Sequence, residues 1–71
     1  MSLKIRINGN SEEISGALTV KELLVEKKVS EPDMVSVEIN GAILNREDFN
    51  TVVIKEHDEV EFLYFMGGGA L

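Results

Sequence analysis

The chain has no cysteine. No disulfide supports its core, and no Cys-based zinc site is open to it. Basic side chains are scarce: seven Lys and Arg stand against thirteen Asp and Glu, a formal net charge of -6. Phosphate contacts need clustered Lys and Arg, so the composition argues against nucleic-acid binding. It suits docking onto a basic protein surface, or plain solubility. No apolar run approaches the roughly 20 residues that cross a bilayer. The opening Met1-Ser2-Leu3-Lys4 lacks the apolar middle of a secretory signal. The expectation is a soluble, cytoplasmic protein without membrane contact.

Catalytic features are also missing. The single histidine, His57, lies in a polar loop between acids, and no metal or catalytic role is expected of it. Glu56, Asp58 and Glu59 lack the oxygen spacing of a calcium loop. There is no phosphate loop, no nucleophile–base pairing and no Gly-rich strand-to-helix turn. The chain is expected neither to be an enzyme nor to bind a cofactor or metal of its own.

With 71 residues there is room for one domain and one small core, and an apolar fraction of 44% is too high for disorder. Leu3-Lys4-Ile5-Arg6-Ile7 alternates apolar and charged residues, the pattern of a strand with one buried face. Asn8-Gly9 is a tight-turn signal, and Ser11 to Ile14 returns as a second strand. Thr19-Val20-Lys21-Glu22 reads as a capping box. Val20, Leu23, Leu24 and Val29 then follow helical spacing, with Lys27 and Lys28 placed for a helix C-terminus and Pro32 ending any continuation.

Met34 to Ile39 alternates again, with Val35, Val37 and Ile39 inward. Asn40-Gly41 is a second turn signal. Ala42-Ile43-Leu44 starts a short strand, Arg46 to Phe49 reads as one helical turn, and Val60 to Phe65 is the last strand. Glu12-Glu13 and Glu47-Asp48 read as solvated faces. A helix between two hairpin-like units must lie across one sheet face to hide its apolar stripe. The expected fold is α+β: a β-grasp, ubiquitin-like domain over 1–66 with a mixed four- to five-stranded sheet, one main helix, and parallel first and last strands at the centre. Residues 67–71 are expected to be a flexible glycine-rich tail.

In the last strand Val60, Phe62 and Tyr64 share the inward face, and Glu61, Leu63 and Phe65 the outward one. Lys4, Arg6, Ser36, Glu38 and Met34 are the expected outward neighbours. Leu63, Phe65, Met66 and Glu61 form a candidate partner interface, since contiguous exposed apolar surface usually means a partner. Three of the six glycines follow as Gly67-Gly68-Gly69. Glycine lacks Cβ, so this run is a thin strand of backbone able to thread a channel too narrow for side chains.

On these residues the chain resembles the ubiquitin-like sulfur carriers, and the ThiS family most closely. The similarity spans essentially the full length. It rests on Ile39-Asn40-Gly41-Ala42-Ile43-Leu44 continuing to Arg46, on Asp58 before the final strand, and on the diglycine Gly68-Gly69. Asn45 replaces a frequent proline, and His57 stands where a glycine commonly precedes the Asp. In the family the second glycine is the very end. Ala70-Leu71 are therefore expected either to be removed by a peptidase or to be vector-derived, and a vector origin is equally compatible with Met1-Ser2-Leu3.

The resemblance implies that Gly69, with Gly68 beside it, is adenylated by a ThiF-like enzyme that uses ATP. Sulfur from a donor protein then converts the glycine to a thiocarboxylate, which a ThiG-like thiazole synthase consumes on the way to thiamine. Gly67 supplies slack for tail access. A chain without cysteine cannot carry sulfur as a persulfide, which agrees with a terminal carrier. Two other readings stay open on the sequence. One is a MoaD-like carrier for molybdopterin, tungsten cofactor or amino-acid sulfur delivery. The other is a β-grasp binding module or protein modifier acting without sulfur transfer.

Overall fold

The computed structural model describes residues 2–64. The expectations for Phe65, Met66, Gly67, Gly68 and Gly69, and for Ala70 and Leu71, lie outside the described residues.

Five strands form one sheet: β1 (Leu3–Ile7), β2 (Asn10–Ile14), β3 (Val35–Ile39), β4 (Ala42–Ile43) and β5 (Glu59–Tyr64), in the order β2-β1-β5-β3-β4. β1 and β5 run parallel at the centre, and the remaining pairs are antiparallel. Among the described residues one helix, α1 (Val20–Glu26), and two single 3-10 turns, Pro32–Met34 and Arg46–Asp48, accompany the sheet. This is the β-grasp arrangement, and it resolves the expected four to five strands as five.

Local chemistry explains the hairpins. Asn8 and Gly9 both have positive φ, as do Asn40 and Gly41. Two positive-φ residues in a row make the type I′ turn, whose twist matches that of the flanking strands. At the start of α1 the capping box forms. Thr19 Oγ1 accepts from the Glu22 N–H at 3.1 Å, and Glu22 Oε1 accepts from the Thr19 N–H at 2.9 Å.

The end of α1 departs from the sequence expectation. The helix stops at Glu26, well before Pro32. Lys28 takes a left-handed φ of 58°. Its N–H donates to the Val25 carbonyl, and the Val29 N–H donates to the Leu24 carbonyl, each at 3.0 Å. That is a Schellman ending with lysine where glycine is usual. Val29 still packs on the core, but from beyond the helix.

Val20, Leu23 and Leu24 of α1 are buried against Ile5, Ile14, Val37 and Val60 of the sheet. Each such side chain contributes about 1.5–3 kcal/mol relative to exposure. Glu12, expected on a solvated face, is half-covered instead. It lies on the same face of β2 as the buried Ile14, and Lys27 pairs with it at 2.7 Å. The pair closes the margin of the core beside α1.

Candidate functional site

The candidate site is the far end of β5, and two side-chain devices outside the strands hold that strand in place. At its beginning, Asn40 and Asp58 clamp the entry to β5. Asn40 Nδ2 donates to Asp58 Oδ1 at 3.0 Å, while Asn40 Oδ1 accepts from the Glu59 N–H at 2.9 Å. Asp58 Oδ2 accepts from the Lys55 N–H at 2.8 Å, closing the loop before the strand. The Asn40 N–H also donates to the Glu59 carbonyl at 2.7 Å. The second turn and the acidic loop, far apart in sequence, are therefore one hydrogen-bonded unit. Within that loop His57 has a φ of 69°.

β1 stops early. It pairs with β5 only through Arg6–Glu59 and Ile7–Val60. Asn8 then continues the contact: its N–H donates to the Val60 carbonyl and its Oδ1 accepts from the Phe62 N–H, both at 2.9 Å. On the other side β3 pairs with β5 from Val60 onward, ending with Ser36 opposite Leu63 and Val35 opposite Tyr64. β4 covers β3 only at Glu38–Ile43 and Ile39–Ala42. The β3–β5 pair thus runs on past both of its neighbours.

This geometry sets the outward face. Glu61 lies beside Glu38 and Leu63 beside Ser36. Ile43, paired with Glu38, shares that face and is 62% exposed. Leu63 is 40% exposed, as is Met34, which precedes Val35. Of the basic residues of β1, Arg6 sits beside Glu59, one same-face position before Glu61 and two before Leu63. The surface around Leu63 is therefore apolar and acidic; Arg6 shares its face, as expected, but at the Glu59 end of β5, and Lys4 lies outside the β1–β5 pairing.

Tyr64 is a second correction. It lies on the same side of β5 as buried Phe62, yet it is 48% exposed. Alternation assigned the face correctly, but the cover of α1 does not reach the strand's end. Tyr64 adds an aromatic side chain to the surface from which the tail departs. Ile43 was also missed, because a two-residue strand carries too little alternation to assign a face.

The described residues form no group of three or more His, Cys, Asp or Glu able to hold a metal ion. Among them no helix is long and apolar enough to cross a membrane. Leu63 and Glu61 thus lie on the outward face of the last strand, ahead of Phe65, Met66 and the three glycines in sequence. The described residues show no reacting centre.

Comparison with known proteins agrees with this geometry. The model of the ThiS family matches residues 5–69, so the match stops at the second glycine of the diglycine. A crystal structure of the thiamine biosynthesis protein ThiS from Geobacter metallireducens superimposes with a TM-score of 0.85 at 45% identity, covering 94% of this chain and all of that one. A solution structure of a thiamine biosynthesis protein from the same organism gives a TM-score of 0.78 at 45% identity, over 97% of this chain and 91% of that one. Two thiazole synthases, from Magnetococcus marinus and Paramagnetospirillum magneticum, are each 34% identical over 94% and 96% of this chain. The chain spans only about a fifth of the length of these curated relatives. A family match over nearly the whole sequence, together with a shared fold at 45% identity, places the chain in the ThiS family of ubiquitin-like sulfur carriers.

Proposed function

We propose that this protein carries sulfur as a thiocarboxylate on Gly69 and delivers it for thiazole formation in thiamine biosynthesis. The observation that carries the reading is positional: the family match ends at Gly69, five residues after a strand whose outward end is apolar and acidic. Such a strand gives a partner something to hold while the glycines reach past it. An extended residue spans about 3.3–3.6 Å, so three glycines reach roughly 10 Å into a partner's site.

The chemistry belongs to the partners, with this chain as substrate. Once Ala70 and Leu71 are removed, a Gly69 carboxylate oxygen attacks the α-phosphorus of ATP on a ThiF-like enzyme and pyrophosphate leaves. The acyl-adenylate has a good leaving group, which a free carboxylate lacks. The outer sulfur of a donor persulfide attacks the acyl carbon and expels AMP. A thiol of the donor system then breaks the sulfur–sulfur bond, leaving a disulfide behind and a thiocarboxylate on Gly69. Side chains at 68 and 69 would collide with a narrow channel, whereas glycine backbone passes.

Thiazole delivery is favoured over molybdopterin or tungsten-cofactor synthesis by the relatives. Two proteins named as thiazole synthases contain a segment resembling this chain, which argues for a ThiG-like synthase as the recipient. The test is intact-mass analysis of protein recovered from its native host. The expected species ends at Gly69 and is heavier by the difference between sulfur and oxygen. A population carrying only a carboxylate at Gly69, in cells making thiamine, would overturn the proposal.

A further inference from the structure

The structure assigns Arg46 a positioning role: its guanidinium fixes the far end of the β3–β5 pair and with it the point where the tail leaves the domain. This rests on the carrier reading above for its consequence, though not for its geometry. Along the outer edge of β3, carbonyls two residues apart point the same way. The Val37 carbonyl accepts from the Leu44 N–H at 2.9 Å. Two residues earlier on that edge, β4 has ended and no backbone donor follows.

Arg46 supplies the donor instead. Its Nη2 donates to the Val35 carbonyl at 2.7 Å, and its Nη1 donates to the Pro32 carbonyl at 3.0 Å. The guanidinium carbon lies 5.1 Å from the ring centroid of Phe49, which is buried. Two carbonyls and a ring face hold the group in one plane. A planar fork satisfies all three contacts, whereas a lysine ammonium is a single point of charge. Val35 in turn pairs with Tyr64, the last described residue before the glycine-bearing segment. Arg46 therefore acts as a side-chain extension of β4, bracing β3 where β5 hands over to the tail.

The test compares Arg46→Met and Arg46→Lys with the parent chain, all ending at Gly69, at a temperature where each is folded by thermal denaturation. The first readout is amide exchange. In Arg46→Met the Ser36 and Leu63 amides are expected to exchange about tenfold faster, as for loss of a charge-assisted bond. The β1–β2 amides keep their rates. The second readout is AMP formation with the activating enzyme. The kcat is expected to fall about tenfold with KM within about twofold, since the docking face stays and the delivery of the tail does not. Arg46→Lys restores part of the kcat. A purely stabilising Arg46 would leave the kinetics of folded protein unchanged.

Parent-like exchange at Ser36 and Leu63 overturns the assignment, and so does a KM increase at constant kcat. If Arg46→Met does not fold, Arg46→Lys carries both measurements, with the same directions and smaller size. If the parent chain itself forms no adenylate, the carrier reading fails and the exchange data alone decide the role of Arg46.

Discussion

Glu38 and Glu61 stand directly opposite each other on the outward face of β3 and β5, and among the described residues neither has a basic side chain within ion-pair distance. Like charges opposed across an antiparallel pair oppose folding by about 0.2–1 kcal/mol. Glu61→Lys is therefore expected to raise the midpoint of thermal unfolding slightly. The same change should slow association with the activating enzyme at low salt, and the difference should shrink as salt is added. Stopped-flow association at two ionic strengths, beside a melting curve, measures both. A variant that binds as fast as the parent at low salt removes this pair from the interface.

Leu63 separates docking from folding. It is partly covered within the domain, so Leu63→Thr, which keeps a good strand former, is expected to cost no more than about 1 kcal/mol of stability. If Leu63 is buried on the partner, losing that contact costs about 1.5–3 kcal/mol, roughly ten- to hundredfold in KM. Steady-state AMP formation and denaturant titration of the same preparation give the two numbers. An unchanged KM places the partner elsewhere.

The tail prediction concerns chain length and side-chain volume. A chain ending at Gly69 is expected to support ATP–pyrophosphate exchange with the activating enzyme, and the chain ending at Leu71 to support none. Gly68→Val and Gly69→Val, made in the shorter chain, should abolish exchange without altering the melting temperature. Exchange by either valine variant at the parent rate contradicts the narrow-channel account.

Much of the fold could be read locally because its signals are local. Asn8-Gly9 and Asn40-Gly41 each declare a turn in two residues, and Thr19 with Glu22 declares a helix start in four. The parallel centre followed from the order of elements. Contacts between residues distant in sequence left no such mark. Nothing around Asn8 indicates that its side chain bonds the Phe62 N–H, and nothing around Arg46 indicates the Val35 carbonyl. The same holds for Glu12, whose partner Lys27 comes from another element. Alternation told which way Tyr64 points but not how far the helix covers it.

The Asn40–Asp58 clamp carries stability. Asn40→Ala loses two exposed hydrogen bonds and places alanine at a φ of 53°, and is expected to cost about 1–3 kcal/mol in all. Asp58→Ala should cost a similar amount. The double variant should cost less than the sum, with a coupling of about 0.5–3 kcal/mol, because the two residues share one network. Urea titration of the four proteins completes the cycle. Strict additivity means that the clamp does not act as a unit.

His57 marks a position where the chain strains. Its φ of 69° is costly for a residue with a Cβ, by roughly 1–2 kcal/mol, and glycine gives back about 0.5–1 kcal/mol in backbone entropy. His57→Gly is therefore expected to stabilise by about 0.5–1 kcal/mol. Gly41→Ala, at a φ of 87°, should move stability the other way. Matched melting curves test the pair, and a destabilised His57→Gly would show that the imidazole makes a contact that matters.

Because β1 and β5 run side by side in one direction, Leu3 and Tyr64 sit at opposite poles, about 25 Å apart along the strands. A purification tag or an entire fused enzyme attached ahead of Leu3 hangs from the pole remote from Tyr64, the described end of β5. If Gly69 carries the sulfur as proposed, cargo appended behind it would turn the carboxylate to be activated into an amide. On that proposal the molecule is polar in the engineering sense: attachments belong ahead of Leu3, and the Gly69 end has to be bare.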